Sequence, residues 1–472
     1  MRRYSEWRIW LCQVGRILWP TVSLEMDCRT PDTIKTVARR DQSSGQAPLS
    51  AGSPRHRIAP WYLAYLILGL LTSGMLPFLL PLVVAGLSHQ LGTVAYVTGA
   101  YNLGLLPAPI FGVLAERRHL YRPVFFSAFI LLSLSFVTFP LVTGLTPWFL
   151  VALLIGASAG AAATVATLFI VDFEPKCEWE PRIGWLQTFN GVGQLAGLLL
   201  AAGFAHGAFV AGFALAGGLA LVAVMVGGIG LPPDGRKRFG RNPIQHLPVQ
   251  PLLAPALLNP AFSNLLQHSH HLQWAAARGL PLRPRGAFGR FLLSWAAFNF
   301  GVAAFFAYYP LIMQQSYGIP PAVTALAYAV AACIGIFLFM AASRLAVRYG
   351  ARLVFLSGLM VRALGFLLLG VPYAVAIPCT AQIALLGFLL AMLAWPVLSV
   401  SGTTLAARLT PVGEGAAIGL LGTSAALPTM LGTFASGPLV HRFGYGVVPP
   451  LAIIGLAGAA LLMLPGENRV AQ

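Results

Sequence analysis

Three amide side chains lie on one face of an apolar stretch. Gln187, Asn190 and Gln194 are spaced i, i+3, i+7, which stacks them along one side of a helix. Amides do not shuttle protons or attack bonds; they recognise partners by hydrogen bonding. Similar isolated groups inside apolar runs are Tyr101 and Asn102, Asn299, Tyr308 and Tyr309, and Gln382 and Trp395. Each either lines a cavity or makes a helix–helix contact, and Tyr and Trp also gather at membrane interfaces. Arg362 is a full charge in equally apolar surroundings. Two common bond-making signatures are missing from the chain: it has no HExxH and no Walker loop. His268, His270 and His271 form an H-x-H-H cluster with no accompanying ligands, so neither a metal nor a cofactor is expected. The cysteines (Cys12, Cys28, Cys177, Cys333 and Cys379) are odd in number and form no CxxC pair, which argues against a disulfide framework. The residues present suit recognition in an apolar setting, not catalysis.

The elements that must position these groups follow from composition. Of 472 residues, 57% are hydrophobic and only 9% are charged; mean hydropathy is +0.77. Soluble domains carry roughly 25% charged residues. So little charge cannot coat a water-exposed surface, which points to a protein that crosses a membrane many times. Twelve apolar stretches are long enough to do so, near 61–86, 93–114, 124–143, 149–171, 183–204, 208–230, 291–314, 322–342, 353–371, 381–403, 415–437 and 447–464. The net charge of +17 comes from 30 Lys+Arg against 13 Asp+Glu. If the first span runs from inside to outside, 28 of the 30 basic residues fall in inner segments, and Arg442 alone falls in an outer loop. With the long segments left out, inner basic residues still outnumber outer ones ten to one, the bias that sets orientation. Both termini are therefore expected on the cytoplasmic side of a cell membrane (plasma or inner). Basic residues spread over every inner loop also disfavour a nucleic-acid partner. The N-terminal stretch either forms a membrane-surface helix with Trp7, Trp10 and Trp19 or precedes a true start at Met26.

The chain repeats itself. Gly112-Val-Leu-Ala-Glu116-Arg117 follows the second span, and Ser343-Arg-Leu-Ala-Val-Arg348-Tyr-Gly350-Ala-Arg352 follows the eighth. Ile183-Gly-Trp-Leu-Gln-Thr opens the fifth span and Ile418-Gly-Leu-Leu-Gly-Thr the eleventh; Pro81-Leu and Pro310-Leu mark the first and seventh. These matches lie 231, 235 and 229 residues apart, in the same order, so the chain is a 6+6 duplication. On these motifs the sequence resembles the major facilitator superfamily of transporters over roughly residues 60–465. The family's loop signature, G-x-L-A-D-R-x-G-R-[KR], is matched by Gly112, Leu114, Ala115 and Arg117, with Glu116 for the acid; His119 replaces a Gly and the next basic residue is Arg122. The second copy has Val347 in place of the acid, and a degenerate third echo runs from Gly437 to Gly444.

The resemblance implies an all-α membrane protein with twelve transmembrane helices in two pseudo-symmetric six-helix bundles. The expected parts are an N-terminal extension (1–60), a first bundle (61–231), a linker (232–290), a second bundle (291–465) and a tail (466–472). It implies no enzyme. The expected activity is secondary or facilitative transport of a small organic solute by alternating access, with efflux of a lipophilic compound ahead of nutrient uptake; a transporter-like receptor or scaffold is the alternative from another class. The expected partners are a small-molecule substrate and the lipid bilayer, and the chain is expected to act as a monomer. Candidate substrate-binding residues are Tyr101, Asn102, Gln187, Asn190, Gln194, Asn299 and Trp395. Candidate gating residues are Gly112, Glu116, Arg117, Asp172, Arg348 and Gly350, and the resemblance suggests Asp172 as the carboxylate that latches Arg117. The antiporter pattern of the fifth span is half present, as Gly184, Gly193 and Gly197 with Leu198 for the Pro. No acid lies mid-span, which disfavours proton coupling through the usual residues. Arg362 lies about 15 Å deeper than Arg352 at helical rise; a structural bond to a neighbour is its expected role, ahead of an anion site.

Overall fold

The computed structural model of the protein describes residues 60–88, 90–118, 120–173, 176–205, 207–231, 286–374, 380–409 and 414–464. The N-terminal extension, most of the linker with its three histidines, and the tail lie outside the described residues. Twelve helices follow in order. In the first half they are α1 (Tyr62–Ser88), α2 (Leu91–Leu105, continued after a turn by Ala108–Arg118), α3 (Tyr121–Thr138), α4 (Leu145–Phe173), α5 (Lys176–Phe204) and α6 (Phe209–Gly230). The second half holds α7 (Ala287–Tyr317), α8 (Pro321–Tyr349), α9 (Ala351–Ala374), α10 (Thr380–Leu409), α11 (Glu414–Phe443) and α12 (Val448–Met463). Among the described residues, ten of these are long and apolar enough to cross a bilayer. The other two, α5 and α11, have 29 and 30 residues, more than the ~20 a crossing needs, and they hold repeat-related places.

The duplication read from the sequence is visible in the packing. α1 packs on α5 and α6, as α7 packs on α11 and α12; α2 packs on α4, as α8 does on α10. α3 packs on α4 and α6, as α9 does on α10 and α12. The halves meet crosswise, α2 on α11 and α5 on α8, and α1 touches α7. The innermost spans are the repeat-related α1 and α7, 94% and 78% buried, against 33% for α6 and 39% for α12.

Lipid tails are as apolar as leucine, so close packing rather than the hydrophobic effect must hold such helices together. The glycines do this. Gly193 and Gly197 lie directly on α1: a methyl group at either would overlap the carbonyl oxygen of Leu66 or Leu70. Gly74 faces Gly197, and Gly301 faces Gly455 across the α7–α12 contact. Opposite the α5 glycines, α1 widens into one π-helical turn, Leu70–Met75, with all six residues buried. Thr72 in this turn donates to Leu68 O at 2.7 Å, which satisfies a carbonyl that the wider turn would strand. The single residue between α8 and α9 is Gly350 at φ +85°. Side chains rarely tolerate that backbone, so glycine is required there.

Two arginines fix the same corner of each half. Arg122, at the start of α3, donates to Gly228 O at the end of α6 at 3.2 Å. Arg352, at the start of α9, donates through Nε to Met463 O at the end of α12 at 3.0 Å, and through its second nitrogen to the same oxygen. Helix C-termini expose unpaired carbonyls and carry partial negative charge, so a cation there is favourable. The trailing basic residue of the loop motif thus ties two helices of its own bundle.

These contacts separate two glycines of α5. Gly193→Leu should destabilise the protein by about 1–3 kcal/mol or block folding, since the intruding side chain meets backbone. Gly203→Ala, where nothing lies within 4 Å, should be neutral or stabilising by about 0.5–1 kcal/mol. Thermal melting in detergent measures both; equal melting of the two variants would refute the assignment of Gly193 to the α1 seam.

Candidate functional site

A small cavity of ≈ 30 Å³, open at its margin, lies between the bundles. Leu76, Pro77, Leu80 and Pro81 of α1 line it with Thr98, Tyr101 and Asn102 of α2. The second bundle contributes Ala303, Phe306 and Ala307 of α7 and Thr429 and Thr433 of α11. Both halves therefore contribute repeat-related central helices. The wall is mainly apolar with a few hydroxyls and one amide, the composition that suits a small organic ligand. Thr429 and Thr433 donate to the carbonyls four residues back, both at 2.8 Å, which spends their hydrogens locally. Asn102 Nδ2 donates to Thr433 Oγ1 at 3.4 Å, a bond between the bundles. The hydroxyls of Thr98 and Tyr101 are buried without a hydrogen-bond partner, so the site retains two uncommitted polar groups.

Aromatic rings cross the interface beside the cavity. The Phe78 ring lies 6.1 Å from Tyr309, Tyr96 lies 6.5 Å from Phe434, and Phe149 lies 6.4 Å from Phe434. Gly99 lies under the Phe434 ring, and Gly92 faces Gly437 and His441. All these contacts lie toward the ends where α1 finishes and α2 begins. Toward the other end, the Ala108–Arg118 segment of α2 packs on α4.

The sequence-selected residues fall into four places. Tyr101 and Asn102 lie on the cavity wall. Gln187, Asn190 and Gln194 are all buried, but not against the cavity. Gln187 reaches Tyr65 of α1, and Asn190 lies against Gly69 of the same helix. Gln194 lies beside Tyr328 of α8, at the seam between bundles. Asn299 donates to Trp295 O of its own helix at 2.8 Å. Trp395 stacks near Phe298 and Trp295, centroids 6.4 and 6.2 Å away, inside the second bundle. Gln382 is exposed, while Tyr308 and Tyr309 are fully buried.

Among the gating candidates, Gly112 packs under Thr164 of α4, the close approach expected of a helix-end glycine. Arg348 is exposed and lies 5.3 Å over the Tyr349 ring. The side chains of Glu116, Arg117 and Asp172 lie outside the described residues; their backbones belong to the ends of α2 and α4. Sequence reasoning missed Thr98, Phe306, Thr429 and Thr433. The available signal was the i, i+4 spacing of the two threonines, which places them on one face of α11.

Arg362 departs from expectation. It is fully buried, and none of its guanidinium nitrogens has a hydrogen-bond partner. The structural bond to a neighbour is therefore absent. The guanidinium lies over aromatic faces instead: Phe298 at 5.1 Å, Phe306 at 5.2 Å and Trp395 at 5.8 Å. These rings come from α7 and α10, so no local spacing around position 362 announces them.

Two repeat-related six-helix bundles with an apolar cavity at their interface define a multi-pass membrane transporter. The chain belongs to the Major Facilitator Superfamily, whose family pattern matches residues 61–414. No curated protein matches it in sequence. Solved structures share its fold at low identity. The nucleoside transporter NupG is 14% identical with a TM-score of 0.63, covering 86% of this chain and 96% of its own. The xylose transporter XylE from E. coli, in a partially occluded inward-open conformation, is 14% identical with a TM-score of 0.59 and the same coverage. A bacterial homologue of the iron transporter ferroportin, in its inward-facing state, is 14% identical with a TM-score of 0.61, covering 86% and 97%.

Two substitutions separate the seam from the cavity. Thr433→Val removes the acceptor of the inter-bundle bond while keeping the shape. It should raise the labelling rate of a cysteine placed at Tyr96 by an impermeant maleimide, by about two- to fivefold for a bond worth roughly 0.5–1 kcal/mol. Gln187→Leu should lower the melting temperature and leave ligand affinity unchanged; a loss of affinity with unchanged melting would place Gln187 on the ligand path.

Proposed function

We propose that the chain is a carrier that moves a small, lipophilic or amphipathic organic solute by alternating access, with export as its direction. The apolar, acid-free cavity between α1, α2, α7 and α11 carries this reading. A strongly hydrated or cationic solute would find no carboxylate there to replace its water, whereas an apolar body with one or two hydrogen-bonding groups fits Thr98, Tyr101 and Asn102. The excess of basic residues at the end opposite these rings supports a cytoplasmic assignment for that end. On that orientation the cavity loads from inside, and both termini are cytoplasmic in a cell membrane. The carrier works as a monomer, since each half of the cavity is supplied by one chain. Glu116, Arg117 and Asp172 form the inner latch, made when the bundles close at the cytoplasmic end.

Uptake of labelled lipophilic solutes into inside-out proteoliposomes tests the reading. Flux of at least one compound should saturate and should be slowed several-fold by Asp172→Asn, with unchanged binding. A pH gradient should leave the rate unaltered, because no acid lies mid-span to carry the proton. Zero flux across a broad panel, with binding intact, would favour a receptor; acceleration by the gradient would restore proton coupling.

A further inference from the structure

Arg362 lies mid-helix in α9, 0% exposed, with Nε and both terminal nitrogens unbonded. A guanidinium offers five N–H donors and stays charged in proteins. Taking such a group out of water is costly unless it is paired. The rings of Phe298, Phe306 and Trp395 offset part of that cost through cation–π attraction. They leave its hydrogens without acceptors. Tyr328, close by, has its buried hydroxyl beside the Gln194 side chain. The buried guanidinium therefore lacks an acceptor. The chain has no acid to supply one from within a span: its acidic residues fall at helix ends or in the segments between.

Phe306 connects this pocket to the cavity. The same ring lines the cavity wall and covers the guanidinium at 5.2 Å. Rotation of one side chain would open the charge to a bound solute.

We infer that Arg362 receives a single acidic group, of the carboxylate class, borne by an otherwise apolar solute. The apolar body lies in the cavity, the acid passes Phe306, and Arg362 with the Tyr328 hydroxyl supplies the donors. The inference rests on the cavity being the solute site and narrows the solute from amphipathic compounds in general to lipophilic organic anions.

The test uses the full chain in lipid nanodiscs and two probes of equal shape, 2-naphthoate and 2-naphthamide. Binding is read by calorimetry and by tryptophan fluorescence, with Trp395→Phe identifying the reporter ring. The acid should bind at least about tenfold tighter than the amide, the usual scale of a hydrogen bond to a charged group. Arg362→Met should erase that preference, Arg362→Lys should keep part of it, and Phe306→Ala should speed association of the acid. Arg362→Met should melt no lower than the native protein, since it removes an unpaired buried charge. Equal binding of the two probes to the native chain overturns the proposal without recourse to any variant. So does stabilisation by sodium chloride that matches naphthoate with no acid preference, which assigns the pocket to an inorganic anion. A large loss of melting temperature in Arg362→Met, with acid preference retained in Arg362→Lys and in the residual folded protein, makes the ring box structural and also overturns it. Acid-selective binding without flux would count against transport alone; flux that ignores the acid would count against Arg362 alone.

Discussion

Close backbone approach at small residues is the constraint on which this structure rests. A bilayer removes the usual reason for helices to associate, because leaving lipid for a neighbouring helix gains little hydrophobic energy. Contact area and hydrogen bonds must supply it. Gly193 and Gly197 let α5 lie against the π-helical turn of α1. Gly104 and Gly156 do the same for α2 and α4, and Gly301 and Gly455 for α7 and α12. Each contact is inside one bundle. The seam between bundles adds rings and single polar bonds to such approaches: Gly92 faces Gly437, Tyr96 meets Phe434, and Asn102 bonds Thr433.

The loop motif gains a physical division of labour from the same logic. Its glycine packs, as Gly112 does under Thr164. Its turn position needs a left-handed backbone, as Gly350 shows. Its last basic residue closes the open carbonyls of a neighbouring helix end, Arg122 on α6 and Arg352 on α12. These three tasks belong to the integrity of each bundle. The central acid of the first copy, Glu116, has no counterpart in the second, where Val347 stands. The two copies of the loop are thus asymmetric in composition.

The fold was legible because span length and repeat offset are one-dimensional signals. Twelve apolar stretches became twelve helices, and motifs about 230 residues apart became the repeat-related contacts α2–α11 and α5–α8. The cavity was legible only where a polar residue happened to face it, as with Tyr101 and Asn102. The stripe Gln187, Asn190 and Gln194 shows the limit. Periodicity fixes that these amides share a face, but a helix in a bundle has several buried faces, and this one turns toward α1 and α8. The ring box around Arg362 was out of reach for the same reason: Phe298, Phe306 and Trp395 converge only in three dimensions. An intramembrane charge without an acid nearby in sequence was nevertheless a visible signal, and it marked the position that most needed explanation.

Charge scarcity finally bears on what drives the cycle. A proton-coupled carrier needs a group inside the membrane that gains and loses a proton between its two states. The titratable acids of this chain are at helix ends or beyond, and an arginine does not release its proton in the physiological range. Two sources of drive are compatible with this: coupling through a gate carboxylate such as Asp172, and the solute's own gradient with the membrane potential acting on the solute's charge. If a lipophilic anion is carried past a fixed Arg362, one negative charge crosses per cycle. A potential of 100 mV, negative inside, then contributes about 2.3 kcal/mol toward expulsion, roughly a fortyfold concentration ratio at the usual 1.4 kcal/mol per tenfold. Anion recognition and an outward direction are thus mutually consistent: a negative charge on the solute Arg362 selects would itself be driven outward by a potential negative inside.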